Sequence, residues 1–380
     1  MSIFKEIGQF IRFFWMTPSE AKRIVFYSEH EGYYPNFEGL LKELVENYHQ
    51  PVCYVTSDRR DPILGSTNPS IKSFYIRKLL ALFIGFIKCR VFIMTMTDLN
   101  QFHIKRSINP VHFVYIFHSL VSTHMLYLAG AFDYYDSVLC TGRYQVKEIR
   151  RYEELHNLPA KKLVEAGYYR LERIYNNYRK YIDENQEAAT ADKVTVLIAP
   201  SWGGKNIIES CGRRLVKILL ENDCAVIVRP HPETIRRTPG IIADLIEGFG
   251  DNPDFYLEKS VATDDSLFRA DVLISDLSGI VLEYAFGTER PVLFIDVPPK
   301  IRNENYKELG MEPLELAIRS EIGMILLPDK LDRVPEVMKN LRERTSDYRE
   351  RIRRSREKYI SVFGQSSKAG AEYIMKLLKD

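Results

Sequence analysis

The sequence predicts an α/β protein of two doubly wound halves facing a central cleft, and three observations carry that prediction. At 380 residues the chain is too long for one ordinary core and suits two. Short runs of β-branched and aromatic residues alternate with amphipathic helical runs, over 21–180 and again over 190–345, the pattern of parallel βαβ units. Four chemistry-bearing segments fall at or just after the ends of strand-like runs, where open α/β sheets place ligands. They are Phe117-His118, Ala199-Pro200-Ser201-Trp202-Gly203-Gly204, Arg229-Pro230-His231-Pro232 and Ser275-Asp276-Leu277-Ser278-Gly279.

In the first half, strands are expected at Arg23–Tyr27, Val52–Thr56, Val91–Thr95, Phe113–Phe117, Ser137–Cys140 and Leu163–Ala166. Helices are expected at Phe37–Tyr48 and Arg143–Leu155, and Leu79–Ile87 reads as a buried helix because it is too short to span a membrane. The polar stretch Ile174–Lys193 reads as a helix followed by a linker. The second half is expected to place strands at Val194–Ala199, Ala225–Arg229, Phe255–Leu257, Val272–Ser275 and Val292–Asp296. Its helices are expected at Ile207–Asn222, Asp264–Arg269 and Gly279–Phe286. The tail from Leu331 to Lys379 is helical and rich in arginine; residues 346–380 form the last unit, expected to cross back to the first half.

Residues 1–20 stand apart. Ile3, Phe4, Ile7, Phe10, Ile11, Phe14 and Trp15 recur at helical spacing with Lys5, Glu6, Gln9 and Arg12 between them, an aromatic-rich amphipathic helix that suits either a membrane interface or packing on its own domain. It lacks the apolar core and cleavage site of a secretory signal peptide. A net charge of only +2 argues against a nucleic-acid partner. The scattered cysteines Cys53, Cys89, Cys140, Cys211 and Cys224 read as reduced thiols of a cytoplasmic protein.

The segments differ in what they offer. Ser278 and Gly279 open a helix, where free N–H groups and the dipole bind phosphate and Gly279 admits a close approach; Ser278 also suits a plain N-cap. Ser275 and Asp276 precede them, and Glu283 one turn on suits a ribose hydroxyl or solvent. In Arg229-Pro230-His231-Pro232 the prolines are expected to block helix and sheet pairing and hold His231 at a rigid strand tip. There it can meet a phosphate or shuttle a proton, with Arg229 beside it. His118 ends a buried strand and suits a general base, with Ser119 next to it and His124 in the same loop. Ser201, Trp202, Gly203 and Gly204 form a strand-to-helix loop in which two glycines can make an anion nest, Lys205 adds charge and Trp202 can stack on a base. The loop lacks Walker spacing, no G-x-G-x-x-G follows a strand, and no residue cluster has metal-ligand spacing, so no protein-bound catalytic metal and no tightly bound cofactor are expected.

In this order the segments resemble the CDP-glycerol glycerophosphotransferase family, the teichoic-acid primases and polymerases, from about Phe113 to Phe294. Phe117-His118-Ser119 looks like the family's Trp-His-Gly. Gly167-Tyr168-Tyr169-Arg170-Leu171-Glu172 resembles its Gly-Tyr-Pro-Arg-x-Asp, and Ala199-Pro200-Ser201-Trp202 its Ala-Pro-Thr-Trp. His231-Pro232 matches its strand-end His-Pro. Ser275-Asp276-Leu277-Ser278-Gly279 is similar to its Thr-Asp-Tyr-Ser-Ser. The departures are Ser119 for glycine, Gly279 for serine, Tyr169 for proline, and Leu120–Thr123 in place of Thr-Pro-Leu-Lys.

The resemblance implies a GT-B fold with a CDP-alcohol bound by the C-terminal half. It implies His118 as general base, His231 with Ser278 on the donor diphosphate, and Gly167 and Arg170 on the acceptor or scaffold side. The implied reaction moves glycerol phosphate from CDP-glycerol, or a related polyol phosphate from its own CDP-alcohol, to a lipid-linked or glycan acceptor at the inner membrane face. The Ser278-Gly279-x-x-x-Glu283 pattern is also similar to UDP-N-acetylglucosamine 2-epimerases, which keeps a UDP-sugar glycosyltransferase or epimerase as the alternative. A non-catalytic scaffold of this fold would be expected to lose His118 or His231, and both are present.

Overall fold

The computed structural model describes residues 3–185, 193–259 and 263–379. Part of the linker expected before Lys193 lies outside them; the helix before it runs Tyr169–Glu184.

The first sheet has seven strands: β1 (Ile24–Ser28), β2 (Val52–Thr56), β3 (Ile71–Tyr75), β4 (Val91–Met94), β5 (His112–Ile116), β6 (Ser137–Cys140) and β7 (Lys162–Glu165). They pair in parallel in the order β3-β2-β1-β4-β5-β6-β7. The second sheet has six: β8 (Val194–Ile198), β9 (Cys224–Val228), β10 (Phe255–Leu257), β11 (Val272–Ser275), β12 (Val292–Ile295) and β13 (Gly323–Leu326). Their order is β10-β9-β8-β11-β12-β13, again all parallel. Central strands such as Ile24–Ser28 and Val52–Thr56 are buried throughout, which is why they read as unbroken apolar runs.

Two edge strands escaped the sequence reading. Ile71–Tyr75 and Gly323–Leu326 are only partly buried, and their short mixed patterns lack the apolar run of a central strand. The helices Pro232–Arg237 and Pro239–Phe249 were also not anticipated. The expectation that Pro232 blocks a helix is corrected: it occupies the first turn, where its missing N–H costs nothing and its fixed φ fits.

Each sheet reverses strand order once, between β1 and β4 and between β8 and β11. Such switch points open a crevice at the carboxyl ends of the strands. The last helix, Ser366–Leu377, returns to the first sheet, where Ala371 and Ile374 join the core of Phe37, Leu40 and Val52. Gly167, at φ +73°, lies against that return: a Cβ there would meet the Ser361 carbonyl at 2.6 Å, so only glycine fits.

The expected N-terminal helix forms as Ile3–Ile11 and continues to Met16. Its apolar residues face two ways. Phe10, Phe13 and Phe14 pack their rings on Phe83 of the helix Leu80–Phe86. Glu6 is buried, and its Oε1 accepts from the Arg77 and Leu79 amides at 2.8 Å. Phe4 (79% exposed), Trp15 and Met16 (each 72%) lie outside, with Leu82 and Phe86 also exposed. Among the described residues no helix is long and apolar enough to cross a membrane.

Candidate active site

The loop 199–207 leaves the switch strand β8 and is fixed from β11. Ser275 Oγ donates to the Ala199 carbonyl at 2.6 Å, tying the two strands together. Asp276 accepts from the Ser201 amide at 2.7 Å and the Ile207 amide at 3.3 Å. Burial raises its pKa, and these amides hold the carboxylate in place. Ser275 and Asp276 therefore shape the loop from beneath. Gly203 adopts φ +106° and Lys205 φ +76°, the turn that carries Trp202 into the cleft.

His231 follows β9 and caps the helix Pro232–Arg237: its Nδ1 accepts from the Glu233 amide at 3.1 Å. An imidazole that accepts at Nδ1 carries its neutral-state proton on Nε2, so His231 is a fixed Nε2–H donor. Burial pushes its pKa down to about 4, with Lys300 and His118 adding to the effect and Glu233 opposing it. His118, just beyond β5, is likewise pushed to about 4, mainly by burial, with the Thr95 backbone opposing and Arg302 assisting. The His118 ring lies 4.8 Å from that of Tyr33, tilted at 43°, and its buried Nδ1 has no partner among the described residues. Both histidines are thus neutral near pH 7 and close enough to sense each other's charge.

Gly279 caps the helix Ile280–Thr288 and lies against Ser119, the neighbour of His118. Ser278 is half-buried beside it. His118, Ser119, His231, Trp202, Ser278 and Gly279 therefore come together at the strand tips of both sheets.

The other sequence candidates are held by partners within a half or between the two. Glu283 is buried, accepting from the Tyr168 hydroxyl at 2.8 Å and pairing with Arg170 Nε at 3.0 Å; Arg170 also reaches Asp264 at 3.1 Å. Burial works against the Arg170 charge, but Glu283 and Asp264 hold it firmly protonated. Arg229 is buried and turned inward to Ser266 Oγ at 3.1 Å and Glu258 at 3.6 Å. His124 pairs with Glu148 at 3.3 Å; burial lowers its pKa, but Glu148, the Met311 carbonyl and Glu315 together raise it. In the same loop the Ser122 amide and hydroxyl donate to Glu315 at 2.9 and 2.7 Å, and Thr123 donates in the same way to Glu148.

Three cleft residues went unread in the sequence. Glu29 follows β1 at the first switch point, receives a 3.5 Å contact from Thr95 Oγ1, and is raised by burial to about 7. Lys300 lays its Nζ 3.2 Å from the Trp202 ring centroid, and burial followed by Arg302 brings it down to about 7. Tyr33 covers His118. Glu29 sits just beyond a strand end, so the rule that found His118 and His231 could have found it; Lys300 lies further on, after two prolines in the loop beyond β12, and neither lies in a distinctive motif. Elsewhere His30, Glu31 and Asp58 bring three metal-ligand atoms together, but Arg60 pairs with Glu31 at 3.2 Å and Asp58 at 3.1 Å.

Two Rossmann-like parallel sheets, each with a switch point at its strand tips, make this a GT-B fold. The chain belongs to the CDP-glycerol:poly(glycerophosphate) glycerophosphotransferase family, whose profile matches residues 9–308. It is similar in fold to the wall teichoic acid polymerase TagF with CDPG, at 15% identity and a TM-score of 0.62, covering 99% of this chain and 94% of that one. Staphylococcus aureus MnaA with UDP is similar at 13% identity and a TM-score of 0.58, covering 94% of this chain and 98% of the other. A Methanocaldococcus jannaschii UDP-GlcNAc 2-epimerase in complex with UDP-GlcNAc and UDP is similar at 12% identity and a TM-score of 0.58, covering 94% and 99%. A comparison with curated proteins finds no match.

Proposed function

We propose that the protein transfers glycerol phosphate, or a related polyol phosphate, from a CDP-alcohol to a hydroxyl of a lipid-linked or glycan acceptor in cell-envelope polymer synthesis. The observation that carries this reading is the meeting of neutral His118 and His231 beside the start of the helix Ile280–Thr288. Family membership and the CDPG in the TagF structure support the donor.

In this reading the donor diphosphate lies between the two histidines. His231 Nε2–H and the first amides of the helix hold its oxygens. His118 takes the proton of the acceptor hydroxyl. The acceptor oxygen bonds to the phosphorus bearing glycerol, the bridging P–O bond to the cytidine phosphate breaks, and CMP leaves with the electron pair. A histidine held near 4 is deprotonated and ready at neutral pH, and the donor's negative charges make it more basic as the reaction begins. Positioning and electrostatic stabilisation supply most of the acceleration.

In this reading the acceptor lies at a membrane and the protein is peripheral on its inner face. The exposed residues Phe4, Ile7, Ile11, Trp15 and Met16 support this, because the inner face of the same helix already has its own core.

Phosphorus NMR of CDP-glycerol incubated with protein and bacterial membranes tests the reading. Replacement of the diphosphate signals by CMP and a new phosphodiester supports it. Free glycerol phosphate with CMP would mean hydrolysis, and no change in CDP-glycerol alongside UDP-sugar turnover would mean glycosyl chemistry.

A further inference from the structure

We infer that Lys300 is the cation that answers the donor: its ammonium rests on Trp202 and transfers to the diphosphate of a nucleotide entering between His118 and His231. This rests on the donor reading above and adds a residue that no sequence motif marks.

The geometry around Lys300 carries the inference. Its Nζ lies 3.2 Å from the Trp202 ring centroid, and the Trp202 ring in turn lies 5.9 Å from the His231 ring at a 33° tilt, so ammonium, indole and imidazole are successive neighbours across the cleft. Arg237 approaches the same indole at 5.1 Å. The nearby carboxylates are already committed. Glu233 is held by Arg236 at 2.6 Å and Arg237 at 2.7 Å, and Asp276 by the Ser201 and Ile207 amides. No carboxylate among the described residues pairs with Lys300. A cation over an indole is stabilised less than a charge-assisted bond to a doubly anionic diphosphate stabilises it. Lys300 is therefore poised to leave the ring for an anion.

Its backbone spans the two halves. The Arg302 amide donates to the Met125 carbonyl at 3.0 Å, and Asn303 Nδ2 donates to the His124 carbonyl at 3.0 Å, which ties the segment after Lys300 to the loop that follows His118. An ammonium on this segment is set in register with both histidines.

The charge state follows. Burial, Arg302 and Arg237 lower the Lys300 pKa while Glu233 and Asp276 raise it, leaving it at about 7, and Lys300 in turn depresses His231. A bound diphosphate restores the ammonium, so donor binding takes up a proton above pH 7. The histidines, held at about 4, do not contribute near pH 8; the Glu29 carboxyl, at about 7, contributes alike in the wild type and in Lys300 variants, so the difference between them belongs to Lys300. CDP-glycerol and UDP-N-acetylglucosamine are diphosphate diesters with no group of their own titrating there.

The test is calorimetric titration of CDP-glycerol, and separately UDP-N-acetylglucosamine, at pH 8 in two buffers of different ionisation enthalpy. The wild type is expected to take up a fraction of a proton. Lys300→Met is expected to bind roughly 10- to 100-fold more weakly with reduced uptake. Lys300→Arg is expected to keep the affinity with the same reduced uptake, because a guanidinium stays charged, an outcome a merely structural lysine would not produce. CDP-glycerol binding that is unchanged in Lys300→Met, or proton uptake undiminished in it, overturns the inference while leaving the donor reading standing. Lys300-dependent binding of UDP-N-acetylglucosamine alone supports the inference and removes the CDP-alcohol donor. Binding of neither nucleotide by the wild type removes both.

Discussion

Ser119 stands in the space that a side chain at Gly279 would need. A Cβ built on Gly279 collides with Ser119 Oγ and lies 3.5 Å from Val121 Cγ1. One side chain fits where the His118 loop of the first sheet meets the helix start of the second, and position 119 supplies it. The motifs that this chain resembles carry glycine at the place of Ser119 and serine at the place of Gly279. The exchange is reciprocal and keeps one hydroxyl beside the helix N-terminus.

Substitution at this contact should therefore be strongly non-additive. Gly279→Ser is expected to cost about 1–3 kcal/mol through overpacking and to lower turnover, with rotation of the Ser119 hydroxyl relieving part of the strain. Adding Ser119→Gly should restore both. Urea unfolding and turnover of the two single variants and the double variant measure the coupling, and additive effects would show that the two positions do not share the space.

Glu283 and Arg170 should behave as frame rather than as ribose contacts. Arg170→Ala leaves Glu283 buried without its cation, while Asp264 keeps Arg173 at 2.8 Å, with an expected loss of about 3–5 kcal/mol. Denaturant midpoints check this. A variant of normal stability with weakened donor binding would instead assign the pair to the donor.

Acid should unfold the protein partly through the cleft. His118 and His231 have folded pKa values near 4, below the ordinary 6.5 of the unfolded chain. The stability linked to their neutral forms is fully present above 6.5 and is lost as pH falls from there toward 4. His118→Gln is expected to lose less stability between pH 7 and pH 5 than the wild type, and equal losses would mean that His118 is not the group titrating.

Glu29 shifts the other way. Its folded pKa of about 7 exceeds the ordinary 4.5, so its penalty on folding grows as pH rises from 4.5 through 7. Glu29→Gln should raise the denaturant midpoint more at pH 8 than at pH 5. The same gain at both pH values would deny the buried carboxyl its raised pKa.

The N-terminal helix separates packing from docking. Phe13 is fully buried against Phe74 and Phe83, so Phe13→Ala should cost about 3–5 kcal/mol. Phe4→Ser with Trp15→Ser should leave stability unchanged and abolish sedimentation with anionic vesicles. Undiminished sedimentation would remove the membrane role of this face.

The sheets were legible because central parallel strands are buried on both faces and write themselves as apolar runs, as in Val52–Thr56 and Val292–Ile295. Edge strands such as Ile71–Tyr75 have no such signature. The site was legible where a histidine or a small-residue turn followed a strand. Lys300 was not, because a lysine after two prolines looks like any exposed loop, and only the folded cleft lays it on Trp202. Glu283 and Arg170 show the converse: polar residues near a phosphate-binding turn resemble ligand contacts until their partners are seen to be one another.

The most direct test of the account is nucleotide release from a panel of CDP-glycerol, CDP-ribitol, UDP-sugars and CMP-sugars, with and without bacterial membranes. Membrane-stimulated CMP release from a CDP-alcohol, lost in His118→Ala, is the predicted result. UMP release from a UDP-sugar alone, or CMP release that survives His118→Ala, would contradict it.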